Sequence, residues 1–208
     1  MTSILKADNI QDADGNNIIN ESGNTITIGA SGDTISIPSG ATIANSGTAT
    51  GFGDDNTPSF FANKASSSNQ DLTSNTETKI TFDTEVWDVG SGFDLSNNKF
   101  VVPSGEAGKY YVNFTCRTYD AGGELYSVRQ SIYRNGSRRS NNEFYGGADG
   151  EFEMEGTCFT HSLILDLSVS DYLECYMTLK THDSSAITVL GDATVFKTYF
   201  TAYKLIGV

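Results

Sequence analysis

Histidines, cysteines and paired carboxylates are the side chains most apt for chemistry, and this sequence spaces few of them usefully. Its 208 residues include two histidines, His161 and His182, and three cysteines, Cys116, Cys158 and Cys175. His161 alternates with Phe159 and Leu163 on an apolar row, the pattern of a satisfied core histidine rather than of a catalyst or ligand. His182 falls in the polar run Lys180-Thr181-His182-Asp183-Ser184-Ser185 and reads as an exposed loop residue. The cysteines are odd in number and lack metal-ligand spacing, which argues against a disulfide framework and a zinc site. Cys116 shares strand parity with Val112 and Phe114, and Cys175 with Leu173, Met177 and Leu179, so both read as small buried hydrophobes. Asp12-Ala13-Asp14-Gly15-Asn16 begins like a calcium loop but lacks the closing bidentate glutamate and reads as an ordinary turn. No cofactor is expected, structural calcium remaining open. With no pair of carboxylates set apart as acid and base, the chain reads as non-enzymatic, a glycan depolymerase being one alternative.

The arginines are less evenly spread. All five, Arg117, Arg129, Arg134, Arg138 and Arg139, fall between 117 and 139, and three flank Asn135-Gly136 beside Tyr133 and upstream of Tyr145. Arginine forks next to aromatic rings suit acidic sugars or lipid-linked phosphates, so Tyr133, Arg134, Arg138, Arg139 and Tyr145 form a candidate receptor-binding set. The competing reading, commoner among surface ions, pairs these arginines with Asp149, Glu151, Glu153 and Glu155.

The elements that would position such residues are strands. A net charge of −13, from 13 basic and 26 acidic residues, disfavours nucleic acid and anionic lipid as partners. The opening residues are too short an apolar stretch for a signal sequence, and no run approaches the ~20 apolar residues of a membrane span, so no membrane insertion and manufacture in a cytoplasm are expected. Only 3 prolines accompany 21 glycines, a composition suited to short strands joined by tight turns.

Residues 1–57 differ from the remainder. Their repeated unit reads Ser22-Gly23-Asn24-Thr25-Ile26-Thr27-Ile28, then Ser31-Gly32-Asp33-Thr34-Ile35-Ser36-Ile37, then Ser39-Gly40-Ala41-Thr42-Ile43. Isoleucines alternate with Thr or Ser, giving each short strand one apolar edge that a single chain cannot bury. Copies of the same chain wound about a shared axis would bury it, which places Ile26, Ile28, Ile35, Ile37 and Ile43 at a trimer contact. Three segments follow: 1–20 for attachment, 21–57 as a β-repeat stalk and hinge, and 58–208 as a head.

In the head, Ile80, Phe82 and Val86 share one parity, as do Tyr110, Val112, Phe114 and Cys116, and Tyr126, Val128 and Ile132. Phe159, Leu163, Leu165 and Leu167 make another row, and Phe196, Phe200 and Ala202 oppose Tyr199, Tyr203 and Leu205. Serial short strands of this kind build a sandwich or jelly roll. Asn135-Gly136 marks a type I′ hairpin, whose central residues both need positive φ.

An ordered series of motifs then resembles the C1q-like globular domain of the complement 1q and tumour-necrosis-factor superfamily. It comprises Ser59-Phe60-Phe61-Ala62, Ile80-Thr81-Phe82-Asp83, Phe93-Asp94, Asn98 to Pro103, Gly105 to Val112, Ile132-Tyr133-Arg134-Asn135-Gly136, Leu163 to Leu167 with Asp171-Tyr172-Leu173, and Thr198 to Leu205. Ser170 stands where the family carries glycine. The resemblance implies an all-β jelly roll that assembles as a homotrimer, both termini at its base and variable loops at the far end. Tyr111, Phe200 and Tyr203 exceed what one small sandwich must bury, and such rings suit subunit contacts.

Ile4 to Ile19 resembles the start of fibre-like virion proteins of tailed phages, particularly those of marine bacteria. This implies a virion protein anchored to other particle proteins by its N-terminal segment, its head binding a host surface glycan or envelope receptor. A capsid decoration protein is the alternative.

Overall fold

The computed structural model describes residues 9–15, 17–29, 31–42, 44, 46–47, 56–65, 69–122, 124–146 and 154–206. The chain divides into two compact units, Met1–Thr48 and Ala49–Val208.

The first unit holds an antiparallel sheet of β1 (Asn9–Gln11), β2 (Asn17–Ser22) and β3 (Thr25–Ile28). The Asp12 to Gly15 turn joins β1 to β2; Asp12 accepts the amide of Asp14 on its carboxylate at 3.0 Å and that of Gly15 on its carbonyl at 3.2 Å. Gly23, Gly32 and Gly40 all take positive φ, the conformation their place in the repeat requires. Only the first repeat copy is a strand, however. Among the described residues 31–42 no ladder forms, because extended backbone gains hydrogen bonds only beside another strand edge. Ile26, Ile28, Ile35 and Ile37 are all exposed, Ile26 by 68%; Ile43 lies outside the described residues. β2 also runs across the expected division at residue 20.

The second unit is a sandwich of antiparallel sheets without helix among the described residues. Its strands are β4 (Ser59–Asn63), β5 (Gln70–Leu72), β6 (Thr78–Lys79), β7 (Thr84–Val89), β8 (Phe93–Asp94), β9 (Lys99–Val101), β10 (Gly108–Tyr119), β11 (Leu125–Arg134), β12 (Ser137–Tyr145), β13 (Gly156–Leu167), β14 (Tyr172–Thr181), β15 (Ile187–Val189) and β16 (Tyr199–Lys204). One sheet runs β5-β15-β10-β16-β4-β7 with β13 also on β10; the other runs β12-β11-β14-β9-β8 with β6 on β14.

The core forms where the inward rows of the two sheets meet. Phe60 stacks on Phe93 and Phe100 and meets Phe200 edge-on, with centroids 4.8 to 4.9 Å apart. Around them lie Tyr110, Val112, Phe114, Cys116, Leu173, Cys175, Met177 and Leu179, all fully buried, as alternation along β10 and β14 requires. Burial drives the Cys116 thiol up to about 12, so it stays protonated and inert.

Parity fails at irregular places. The chain passes from one sheet to the other between β6 and β7, and Val86 is exposed while Ile80 and Phe82 are buried. A bulge between Leu125 and Ser127 sends Leu125 into the core in place of Tyr126. Phe196 precedes β16 and lies outside against Phe61, away from Phe200.

Candidate interaction surfaces

Strand register fixes what each face of the head displays. Outward on the first sheet, one row carries Ser59, Tyr203, Tyr111 and Ile164, the next Phe61, Thr201, Asn113 and Ser162, and a third Asn63, Tyr199, Thr115 and Thr160. Phe61 packs on Trp87, Phe196 and Tyr199 with centroids 4.9 to 5.1 Å apart, and Tyr111 meets Tyr203 at 5.3 Å. Trp87, Phe196 and Ile164 remain about half exposed or more, at 47, 54 and 58%. An aromatic expanse of this extent is what subunit contacts cover. Tyr111 and Tyr203 therefore lie on the expected surface, but Phe200 does not. It is completely buried, because its neighbours Tyr199 and Thr201 take the outward positions on β16.

The second sheet presents charge instead. Arg138 reaches Glu77 at 2.6 Å, Arg129 grips Glu143 through two nitrogens at 3.0 and 3.1 Å, and Lys79 meets Glu174 at 2.6 Å. Tyr133 donates its hydroxyl to Glu77 at 2.5 Å, lies under the Arg138 guanidinium, and packs on Tyr176 at 4.3 Å. Burial alone would raise the Glu77 carboxyl, but the hydrogen bonds from Tyr133 and Arg138 outweigh it and hold the group low. Internal pairing thus engages three of the five arginines, with Glu77, Glu143 and Asp171 as partners. Asp149, Glu151 and Glu153 lie outside the described residues. Arg139 sits at the bulge between Ile132 and Tyr133, exposed and without an ion pair among the described residues.

The Asn135-Gly136 hairpin adopts positive φ at both positions, 53° and 74°, as expected of that dipeptide. It lies at the end of the head away from the one to which the resemblance assigns the variable loops. Asn135 donates its side-chain amide to Asp171 at 2.6 Å and accepts the Tyr172 amide at 2.9 Å, while Arg134 pairs with Asp171 at 2.6 Å. Asp171 also accepts the Ser168 amide at 2.6 Å. Hairpin and Ser168-to-Asp171 turn are thus one clamp, and Ser170 bends through it at φ 68°, taking the left-handed conformation of the glycine it replaces. This clamp sits beside Gly108, whose partner is Leu167, at the end where Pro58 accepts the Lys204 amide. It is the end where the head begins and finishes. Tyr145, opposite Ser127, lies at the other end of β12, so the five expected binding residues do not converge.

The clamp predicts a pH dependence. Burial would raise Asp171, yet hydrogen bonds from Asn135, Ser168 and Arg134 prevail and lower it. Its stabilisation is therefore present above the unfolded value near ~3.9 and fades as pH falls through the lower folded value. Asp171→Asn should cost about 2 kcal/mol at neutral pH and flatten the acid limb of stability measured by urea titration between pH 6 and 2. An unchanged acid limb would contradict the assignment.

Histidine placement divides the same way. His161 is half-buried, its Nε2 lies 2.9 Å from the Ser140 hydroxyl, and burial lowers its pKa, in keeping with a satisfied structural residue. His182 is not a free loop residue: its ring stacks on Tyr126 at 4.3 Å, and its amide donates to the Glu124 carbonyl at 3.1 Å. No signal in the sequence announced that contact, since the bulge at Leu125 to Ser127 that places Tyr126 is visible only in the strand register.

No protein-family model matches the sequence, and no curated protein does. Among solved structures, Eiger TNF from S. frugiperda superimposes with a TM-score of 0.51 at 12% identity, covering 72% of this chain and 93% of that one. The globular domain of zebrafish complement 1qA (TM-score 0.45, 13% identity, 71% of this chain and 97% of that one) and murine APRIL at pH 5.0 (0.49, 12%, 71% and 98%) are also similar. The head has a TNF-like jelly-roll fold.

Proposed function

We propose that this chain is a trimeric fibre or spike protein of a tailed-phage virion, non-enzymatic, with a head that attaches to the host cell surface. Trimer formation is supported by the outward aromatic face of Phe61, Trp87, Phe196, Tyr199, Tyr203 and Tyr111, on which Trp87 and Phe196 are about half exposed. A partner surface would remove the exposed rings from water, whereas the opposite sheet carries paired charges. The exposed isoleucines of the first unit give the same need to the stalk. The virion reading rests on the resemblance of residues 4–19 to phage fibre proteins, which makes the N-terminal segment the anchor to other particle proteins. Three weak sites on one head would then act by avidity.

Light scattering should give about three times the 22.4 kDa chain mass, and immunogold labelling should decorate the tail of the virion. A clean monomer would overturn the assembly; label over the capsid shell would transfer the protein to capsid decoration.

A further inference from the structure

In the first unit, strand register gathers isoleucines onto one face. Ile10 pairs with Ile19, and Ile19 with Ile28, so a single cross-strand row runs over β1, β2 and β3, a span of roughly 10 Å at the usual strand spacing. Ile26, two positions before Ile28 on β3, lies on the same face, while Thr25 and Thr27 take the other. Ile18 falls in the bulge opposite the step from Ile10 to Gln11, outside the row.

The row is open to water. Ile10, Ile19, Ile26 and Ile28 are 41, 36, 68 and 57% exposed, and every residue of this unit whose burial is described, Gly29 excepted, is exposed as well. A unit this small without a core of its own is usually completed by oligomerisation. The four side chains carry no charge, so their complement is another uncharged apolar surface, and the same row on other copies of the chain is one. Residues 29–57 join it covalently to the head, to which assembly is assigned. Once heads associate, the rows meet as an intramolecular event, whereas a separate partner must be met from solution.

We infer that Ile10, Ile19, Ile26 and Ile28 form an apolar seam closed by the same residues of the other copies in the trimer, so that assembly supplies the core this sheet lacks. The inference rests on the trimer reading and deepens it: the heads supply the local concentration, and the seam orders the stalk. It also draws Ile10 and Ile19 out of the segment assigned to other particle proteins and into the trimer's own contact.

The test is hydrogen–deuterium exchange of the full chain read by mass spectrometry, with light scattering on the same samples. Ile28→Asp and Thr27→Asp are the variants, neighbours on β3 that face opposite ways, so that an aspartate's poor fit to a strand acts on both alike. In the wild-type trimer the amides of β2 and β3 should exchange at least tenfold more slowly than in Ile28→Asp, whose mass should stay at three times 22.4 kDa because the head contact is intact. Thr27→Asp should keep the protection. Equal exchange in the wild type and Ile28→Asp, equal loss in both variants, or protection that arises only after incorporation into virions would each overturn the seam, the last by giving the row to another particle protein. A wild type of 22.4 kDa would instead remove the trimer reading on which the seam rests.

Discussion

Tyr203→Asp is expected to shift the protein from a species of about three times 22.4 kDa to one of 22.4 kDa while leaving the head folded. Tyr203 faces outward on β16 and packs on Tyr111, on the aromatic face assigned to assembly. In a trimer the substitution would place three carboxylates in an interface stripped of water, a desolvation penalty of several kcal/mol per ion. In the monomer the same carboxylate would be hydrated. Multi-angle light scattering reads the mass, and far-ultraviolet circular dichroism verifies retained β structure. A variant that remains trimeric would move assembly away from this face.

Phe200→Ala, three residues earlier on the same strand, should do the reverse. Phe200 is wholly buried, meeting Phe60 at 4.9 Å, Phe82 at 6.0 Å and Phe93 at 6.2 Å. Removing its ring loses transfer energy and leaves a cavity between two sheets that cannot collapse freely, at a cost of about 3 to 5 kcal/mol. The melting temperature should fall by on the order of 10 °C, read by calorimetry, with the mass at permissive temperature unchanged. A variant of wild-type stability that dissociates would return Phe200 to the interface. Taken as a pair, the two variants separate core from contact on one strand.

Much of the fold was legible because alternation is imposed by backbone geometry. Tyr110, Val112, Phe114 and Cys116 had to share a face of β10, and Leu173, Cys175, Met177 and Leu179 a face of β14. The same rule failed where a row was carried across an irregularity: Val86 lies on β7, in the other sheet from β6, Tyr126 sits in the bulge between Leu125 and Ser127, and Phe196 precedes β16. The arginine set illustrates a different limit. Sequence proximity put Tyr145 with Arg138 and Arg139, but a nine-residue strand, Ser137–Tyr145, separates its ends by roughly 25 to 30 Å. Glu77 and Asp171 were distant in sequence, and only the pairing of β11 with β14 brought Asp171 to Arg134.

By itself, then, the sequence determined the strand-rich class, the buried rows of β10 and β14 and the Asn135-Gly136 turn, because each follows from local periodicity or from the φ a residue tolerates. Tertiary structure alone decided which aromatic rings face water, that the hairpin motif and the Asp171 turn form one clamp, and that Ile10, Ile19 and Ile28 stand in one row. Those outcomes depend on strand order and register, which bring together residues whose separation along the chain carries no record of their contact.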